Sequence, residues 1–391
     1  MTAPPRILIS GASIAGLTLA HWLARHGLQP LVVERATAPR VGGNGVDLRG
    51  HAREVAQRMG IWAQVSAQAA DVRSVKFVDA ADRAVARLRI HDPGAIEVMR
   101  GDLVALLREK TDVEILHGDS IRELEQDEAG VDVSFENAAP RRFDLVVGAD
   151  GMHSRVRRLA FGPESEFIRH KDHYFAFADA DAALGEDRCV TMFNMPSRMA
   201  GIYRSGNHAQ AKTYFAFRSP PLDYDRRDVP AHKRLVREAF GPQPPWHISR
   251  LLDGALADPE FYFDAAAQVH MTSWSKGRVV LVGDAAWCVS PAAGAGAELA
   301  MVGAYRLAGE LAQAEGRHER AFAGYESAHR PLVKARRQIG PNLRLMVPRT
   351  RAGQSARNTL SRLRILTLAE AAGRRMTPAG ADPLPVYGGA V

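Results

Sequence analysis

The feature that most restricts the fold is a glycine-bounded turn, GASIAG at residues 11–16, which lies between two apolar segments. The run RILIS before it predicts a buried strand over Ile7–Ser10, and the Ala/Leu-rich stretch after it predicts a helix over Ile14–His26 that Gly27 ends. A second strand, Leu31–Val33, follows. This order predicts a βαβ unit and therefore an α/β protein with a parallel sheet.

The turn is similar to the G-x-G-x-x-G pattern that binds the pyrophosphate of a dinucleotide. Gly11 and Gly16 occupy the outer positions, which serve the tight turn and the close packing of helix on strand. Ser13 replaces the middle glycine, but its hydroxymethyl group is small and can donate a hydrogen bond. Glu34, 18 residues after Gly16, can accept hydrogen bonds from a ribose, although an exposed strand-end carboxylate would give the same pattern. Together these features favour a dinucleotide site over an ordinary strand-to-helix turn.

Length and composition indicate a globular chain of two or three structural units, with 391 residues of which 46% are hydrophobic and 24% charged. No apolar stretch reaches the roughly 18 residues that span a bilayer, and no charged and then apolar leader opens the sequence. Cys189 and Cys288 are too few for a disulfide framework and lack metal-ligand spacing, which favours a reducing compartment. We therefore expect a cytoplasmic protein without a metal site and without membrane insertion.

Positive charge is concentrated near the C-terminus. Residues 331–391 contain 11 Lys and Arg against two acidic residues, a balance of +9, so the preceding residues carry −2 of the net +7. A polyanion-binding tail would have this charge, but in LSRLRILTLAEAA the arginines alternate with apolar residues and no aromatic residue is present for base stacking. We predict instead a packed helix that bridges two parts of the protein and binds no nucleic acid. Its apolar residues are Leu360, Leu363 and Leu366 on one side and Ile365 and Leu368 on another.

Two further polar turns follow buried strands. In DLVVGADGMHSRVRRLAF, Asp150 ends a strand, and Ser154 is a candidate helix cap. In GDAAWCVSPAAGAGAELA, Asp284 ends another strand, and the loop with Pro291, Gly294 and Gly296 leads into a long helix. Each turn alone is consistent with an ordinary connection. Three of them, each more than 130 residues from the next, predict that they meet at one phosphate-bearing cofactor.

With these three motifs the chain resembles the FAD-dependent aromatic hydroxylases, the class A flavoprotein monooxygenases. The resemblance covers about residues 5–340. It is greatest for the branch of tetracycline-inactivating and polyketide-modifying hydroxylases, because APRVGGNGVDLRG and EVMRGDLVALL also fit the pattern of that branch.

The resemblance implies a role for particular residues. Glu34 would bind the adenosine ribose, Arg40 the nicotinamide cofactor, and Asp47 and Arg100 FAD. Asp150 would belong to the motif that serves both FAD and NAD(P)H, Asp284 would hold the ribityl chain or the adjacent phosphate, and Pro291, Gly294 and Gly296 would face the isoalloxazine ring. The full predicted cofactor-binding set is Gly11, Ser13, Ile14, Ala15, Gly16, Glu34, Arg35, Arg40, Asp47, Arg100, Asp150, Asp284, Pro291, Gly294, Ala295 and Gly296. The sequence departs from the pattern at Ser13 and at Ala295 and Ala297, where polar residues are frequent in the family.

The resemblance also implies the architecture. A Rossmann-like FAD-binding domain of residues 1–72, 92–170 and 266–340 would be interleaved with an antiparallel-sheet substrate domain of residues 73–91 and 171–265. Residues 341–391 would form the C-terminal bridging helix and tail.

The implied reaction depends on the cofactor. NADPH or NADH, docking transiently, would reduce FAD, and molecular oxygen would then form a flavin hydroperoxide that attacks an electron-rich carbon of an aromatic or polyketide substrate. We find no Ser/His/Asp constellation, no metal cluster and no second fingerprint for a permanent nicotinamide domain. The general base is not identified.

The segment between the second and third motifs contains alternating strand-like runs such as YFAFADAD, CVTMFNM and AKTYFAFRS. Its candidates for substrate contact are Thr191, Phe193, Arg198, Met199, Tyr203, Phe215 and Phe217. For each apolar candidate the core of a half-buried sheet is the more common role, and surface or cross-strand pairing explains Thr191 and Arg198 equally well.

Two other functions fit the motifs. An FAD-dependent reductase or halogenase would use a related fold, although the W-x-W-x-I-P stretch of many such halogenases is missing. A non-catalytic flavin- or ligand-binding protein has only the alanines of PAAGAGA in its favour. Oxygen consumption with NADPH and a substrate panel would separate these functions. We expect a monomer or weak homodimer.

Overall fold

The computed structural model describes residues 4–39, 43–89, 94–337, 340–362 and 383–388. A six-stranded sheet, mostly parallel, is formed by β1 (Arg6–Ser10), β2 (Gln29–Glu34), β7 (Ile115–His117), β11 (Leu145–Gly148), β17 (Ser275–Lys276) and β18 (Val279–Leu281), in the order β17-β18-β11-β1-β2-β7. The three strands that precede the polar turns, β1, β11 and β18, are adjacent and parallel. Their carboxyl ends therefore bring the three turns to one edge of the sheet.

A seven-stranded sheet has the order β16-β12-β15-β14-β13-β4-β5. Its strands are β4 (Ser74–Val78), β5 (Ala84–Arg89), β12 (Ile168–Ala180), β13 (Cys189–Met195), β14 (Arg198–Arg204), β15 (Ala211–Arg218) and β16 (Tyr262–Val269). The sheet is antiparallel as predicted, except at one ladder, where β4 pairs with β13 in parallel. The β4–β5 hairpin joins an edge of the sheet from a distant part of the chain, so no local turn dictates its direction.

Two small sheets complete the strands. One contains β3 (Gly45–Arg49) and β6 (Ala95–Met99), and the other contains β8 (Ile121–Gln126), β9 (Val131–Phe135) and β10 (Arg141–Phe143). The predicted boundaries at residues 170 and 265 fall inside β12 and β16, so strands of the seven-stranded sheet continue across them.

The helices of the first half of the chain are α1 (Ile14–Arg25), α2 (His51–Arg58), α3 (Trp62–Ala67), α4 (Arg100–Lys110) and α5 (Arg155–Ala160). Those of the second half are α6 (Val229–Phe240), α7 (Ile248–Ala257), α8 (Asp284–Trp287), α9 (Gly296–Gln313), α10 (His318–Arg336), α11 (Gly340–Met346) and α12 (Arg351–Arg362). The largest hydrophobic core joins the six-stranded sheet to α1, α9 and α10. No helix within the described ranges is long and apolar enough to cross a membrane.

The C-terminal segment contacts both large sheets or their helices. Helix α12 packs near β5, where the Arg357 guanidinium lies 3.9 Å from the centre of the Phe77 ring. The short segment at residues 383–388 packs on α9, with Tyr387 against Gly309. The helix begins at Arg351, nine residues before Leu360, the first residue of the predicted apolar pattern, and Arg357 is buried within it. Leu360 lies in α12, whereas Leu363, Ile365, Leu366 and Leu368 are outside the described residues.

Candidate active site

The first turn requires glycine at both ends for reasons of packing. Gly11 has φ +107°, and a Cβ there would lie 2.6 Å from the Ala149 carbonyl oxygen, which belongs to the second motif. A Cβ on Gly16 would lie 1.9 Å from the Gly11 carbonyl oxygen. The two outer glycines therefore let the first turn pass close to the second motif and let α1 begin directly above the strand.

The start of α1 is suited to an anion. Ser13 is the N-cap residue but its side chain makes no capping hydrogen bond, and the first turn contains no acidic residue. The early amides of α1 are therefore left to a ligand, and the helix dipole favours a negative one. The Ser13 Oγ instead accepts a hydrogen bond of 2.8 Å from the Arg100 guanidinium. Positive charge from Arg100 therefore lies beside the free amides at the start of α1.

Glu34 lies at the end of β2, where it closes the first turn. Its carboxylate accepts hydrogen bonds of 2.8 Å from the backbone amides of Ala12 and Ala36. Each carboxylate oxygen has a second lone pair, so the group can still accept from a ribose hydroxyl. Arg35 is exposed beside it, and Arg40 lies outside the described residues.

Asp150 in the second motif holds its own helix. Its carboxylate accepts hydrogen bonds from the Ser154 hydroxyl and from the backbone amides of Arg155, at 2.7 Å, and Val156, at 3.1 Å. Burial raises the pKa of this carboxyl, and the hydrogen bond from Ser154 opposes the rise. These contacts show that Asp150 caps the N-terminus of α5 and thereby shapes the turn.

A residue that sequence analysis did not select joins the second and third motifs. Arg157 is 1% exposed, and its guanidinium donates to the carbonyl oxygens of Met152, at 2.6 Å, and Ala285, at 2.8 Å. A buried arginine bonded to two carbonyls positions both loops. Its position seven residues after Asp150, in the basic run SRVRR, was the signal of it in the sequence.

The third motif contacts the first. Gly283 has φ +66°, and a Cβ there would lie 2.8 Å from the Ala15 Cβ. Asp284 follows it and is exposed, yet protein surrounds its carboxyl closely enough for desolvation to raise its pKa, an effect that Arg100 opposes. A carboxyl that is open to solvent and flanked by protein lies in a cleft. It can accept hydrogen bonds from polyol hydroxyls.

The loop before α9 is open on the side of the cleft. Gly294 is left-handed, with φ +59°, and its carbonyl oxygen accepts from Arg49, which also pairs with Asp47. A Cβ on Gly296 would meet no atom within 4 Å among the described residues. Pro291 is exposed and Ala295 is buried. Helix α9 starts without a capping side chain, so its first amides also face the cleft with partial positive charge.

A second missed residue is Ser290, which has φ +79° although it is not glycine. Its buried hydroxyl has no hydrogen-bond partner within the described part of the chain. Positive φ in a residue other than glycine costs free energy and is frequent at ligand sites. No local pattern in CVSPAAG marks this conformation in advance.

The three turns therefore meet at one cleft, as expected from their sequence. The uncapped N-termini of α1 and α9, together with Arg100, suit negatively charged parts of a ligand, such as a pyrophosphate or the electron-rich edge of a ring system. The carboxylates of Glu34 and Asp284 suit hydroxyl groups of the ligand. The donors and acceptors thus fit a dinucleotide with a polyol chain. They define a dinucleotide-dependent enzyme of the flavoprotein class.

The comparisons with known proteins agree with this site. A family model described as FAD binding domain matches residues 5–338, and the chain belongs to that family. An uncharacterised protein of Mycobacterium tuberculosis is 40% identical over 337 residues, which cover 84% of this chain and 90% of that protein. A flavin-dependent monooxygenase of Legionella longbeachae is 35% identical over 341 residues, covering 86% of this chain and 87% of that protein.

Among solved structures, the tetracycline destructase Tet(51) superposes with a TM-score of 0.85 at 32% identity, covering 98% of this chain and 100% of that one. These findings confirm the suspected family, the fold class and the use of FAD. The protein is an FAD-dependent monooxygenase, and NAD(P)H is the reductant that its family implies.

The faces of the seven-stranded sheet separate the substrate candidates. Phe193, Phe215 and Phe217 lie in a core with Phe240 of α6 and Leu251 of α7. By strand alternation Thr191 and Arg198 share that helix-covered face. The structure therefore places these five residues in or beside the core of the sheet, which was the alternative to substrate contact. Met199 and Tyr203 lie on the opposite face.

That opposite face carries a chain of four aromatic rings, which we call the aromatic row: Tyr203, Tyr214, Phe177 and Tyr262. Successive ring centres are 5.9, 5.0 and 5.8 Å apart. Met199 and Phe177 pack in one cluster with Ala293 of the third motif, so the row borders the cofactor cleft. Sequence analysis missed three of the four rings because both faces of these strands are apolar.

Each end of the aromatic row has a carboxyl group. At the Tyr203 end lies Glu97, and at the Tyr262 end the Tyr262 hydroxyl donates to Asp264 at 3.2 Å. The ring of His153 lies between Asp264 and Glu164, 3.1 Å from an oxygen of each. Burial lowers the pKa of His153, but the hydrogen bonds to the two carboxylates prevail and raise it above its ordinary value.

Proposed function

We propose that this monooxygenase hydroxylates a flat, fused-ring molecule with phenolic or enolic hydroxyl groups, of the kind found in tetracyclines and other polyketides. The observation that carries the proposal is the aromatic row, which borders the loop of the third motif. Phe177 and Tyr262 stack at 24°, whereas Tyr214 meets Phe177 edge-on at 82°, so the row offers both ring faces and ring edges to an apolar ring system. The similarity to tetracycline destructases, at 32% and 34% identity, supports the same class of substrate.

The residues of the cleft would divide the binding of FAD among them. Arg100, Ser13 and the amides that begin α1 would hold the pyrophosphate, Glu34 the adenosine ribose, and Asp284 the ribityl chain. The loop of Pro291, Gly294, Ala295 and Gly296 would lie along the ring system. Bound FAD supplies the two-electron chemistry that activates molecular oxygen after reduction by NADPH or NADH.

The chain's own contribution is orientation and shielding. The aromatic row and Met199 would exclude water from one side of the reacting carbon, which protects an oxygen-transferring site from wasteful hydrolysis. Asp47 and Arg49 would support the loop at Gly294 from beneath. Asp150 and Arg157 would keep the second motif in the shape that both FAD and the transient nicotinamide cofactor require.

The test is turnover by purified protein loaded with FAD. We would supply tetracycline and 2-naphthol separately, with NADPH or NADH, and measure oxygen consumption and the mass of the product. Gain of one oxygen atom by either compound supports the proposal. NAD(P)H oxidation without oxygen incorporation into any member of a fused-ring phenol panel would favour a reductase, and incorporation only of halide would favour a halogenase.

Three finer expectations belong to the same proposal. Molecular oxygen is the co-substrate, since a monooxygenase reaction requires it. The enzyme acts as a monomer or weak homodimer. It works in the cytoplasm, which is supported by two cysteines, Cys189 and Cys288, that are both buried and unpaired with each other.

A further inference from the structure

A carboxyl group occupies a constrained position at one end of the aromatic row. Glu97 lies on β6, opposite Asp47 on β3. Its carboxyl lies directly over Gly45, where a Cβ would be only 1.9 Å from the Glu97 Oε1. The carboxyl can therefore take this place only because residue 45 has no side chain.

Two tyrosine hydroxyls accompany this carboxyl. The Tyr214 hydroxyl lies beside the backbone of Gly45. Tyr203 is 4% exposed, and its hydroxyl lies beside Glu97 with no partner at normal hydrogen-bond distance within the described ranges. A buried hydroxyl that faces a carboxyl but does not reach a full hydrogen bond costs free energy and calls for a functional explanation. Glu97 and Tyr203 together could bind one polar group of a ligand that stacks on the row.

The surroundings of Glu97 suit proton transfer near neutral pH. Burial, and then the charge of Asp47, raise the pKa of Glu97 to about 7, while the Tyr203 hydroxyl lowers it. Tyr214 also faces it, and the neighbouring Asp47 is paired with Arg49. A carboxyl that titrates near the working pH is well placed to act as a general base.

We propose that Glu97 is the general base of the reaction and removes the proton from a phenolic or enolic hydroxyl of the substrate, while the Tyr203 hydroxyl donates a hydrogen bond to the same oxygen. The substrate O–H bond breaks, its electron pair stays on the substrate oxygen, and the proton forms a new O–H bond on the Glu97 carboxylate. The resulting oxyanion raises the electron density of the adjacent ring carbon, which is the carbon to be oxygenated. This assignment rests on the proposed function, because it assumes a hydroxylated ring on the aromatic row.

The first test is a binding measurement that needs no turnover. 2-Naphthol is added to the oxidised, FAD-loaded enzyme, and the absorption band of the naphtholate is followed as pH is varied. The wild type should bind the probe as naphtholate at a pH well below that at which free 2-naphthol ionises. Glu97→Gln should bind it as the neutral naphthol, and its turnover should fall by about 100-fold or more, the usual contribution of a general base.

Two controls make the result specific. Glu125→Gln changes an exposed carboxyl on β8 and should behave as wild type. 2-Methoxynaphthalene has no proton to lose and should bind wild type and Glu97→Gln with dissociation constants that agree within about twofold, since only apolar contacts remain. The assignment of Glu97 as the base is overturned if the naphtholate band is as strong in Glu97→Gln as in the wild type. It is also overturned if the wild type shows no naphtholate band.

A second variant decides the question if Glu97→Gln fails to retain FAD. Tyr203→Phe removes the hydroxyl that lowers the pKa of Glu97, so the pH midpoint of the naphtholate band should move upward. An unmoved midpoint overturns the role of Glu97. If the wild type binds naphtholate but oxygenates no member of the panel, the proposed function fails and the base assignment stands. If the wild type and Glu97→Gln oxygenate 2-naphthol equally well, the proposed function stands and the base assignment fails.

Discussion

Replacing His153 with glutamine should destabilise the protein in a way that depends on pH. The imidazole lies between Glu164 and Asp264, and the three side chains are 26%, 21% and 17% exposed. When protonated it donates to both carboxylates, and hydrogen bonds to charged groups contribute about 1.5 to 3 kcal/mol each. Partial exposure places each near the lower limit, so His153→Gln should cost about 3 kcal/mol in total at acidic pH. That corresponds to a melting temperature lower by roughly 4 °C for a chain of this size.

The sign of the pH dependence follows from the raised pKa of His153 in the folded state. The stabilisation is fully present below the pKa of the unfolded state, about 6.5, and disappears as pH rises through the folded pKa. A neutral imidazole can donate from only one nitrogen, so one carboxylate then loses its donor. The difference in melting temperature between wild type and His153→Gln should therefore shrink between about pH 6 and pH 9.

The assay is thermal unfolding of the FAD-loaded proteins at both pH values. His247→Gln is the matched control, since that imidazole packs on Trp246 without a carboxylate partner among the residues described, and it should change the melting temperature little at either pH. A difference for His153→Gln that is equally large at acidic and alkaline pH would refute the reasoning, because it would indicate a role in packing rather than in charge pairing.

Three other changes test the cleft and the C-terminal segment. Asp284→Ala should weaken FAD binding by about 1 to 3 kcal/mol through loss of a polyol acceptor, and an unchanged dissociation constant in an FAD titration of the apoprotein would contradict this role. Gly309→Ala would place a Cβ 2.0 Å from the Tyr387 ring and should release residues 383–388 to carboxypeptidase, whereas Gly254→Ala on α7, with nothing within 4 Å, should not. Truncation after Gly353 removes the Arg357 contact with Phe77 and should lower the melting temperature. A truncated protein that melts as wild type but loses salt-sensitive nucleic-acid binding would favour the polyanion-binding interpretation.

Much of the cofactor cleft could be predicted because its signals are local. A glycine is needed where φ is positive or where backbones touch, and Gly11, Gly16 and Gly283 meet one or both conditions. Glu34 and Asp284 were predicted to contact the cofactor from their position at strand ends, and that role stays a prediction. The sequence pattern did not reveal which group each of these side chains bonds to. Ser13 bonds to Arg100, 87 residues away, and that contact depends on the packing of α4 beside α1.

The substrate side was predicted less well. Alternation identified the strands of the seven-stranded sheet but not which face meets the cofactor cleft, because Phe215 and Tyr214 are neighbours and both are aromatic. Helices α6 and α7 cover the face of Phe215, whereas the face of Tyr214 packs against Leu343 of α11 and against Ala293 of the third motif, and so borders the cleft. Glu97 was not recognised because it belongs to β6, whose strand partner and tyrosine neighbours come from other parts of the chain.

The sequence by itself determined the elements whose causes lie within a few residues: the strands, the three glycine-bounded turns, the helices that follow them, and through these the FAD-binding family. The tertiary structure decided the rest. It directed β4 parallel to β13, turned Asp150 inward as a helix cap, and brought Glu97 to the aromatic row. The physical reason is that backbone conformation is set by local sterics and hydrogen bonding, whereas burial, face selection and pKa depend on groups that only folding brings together.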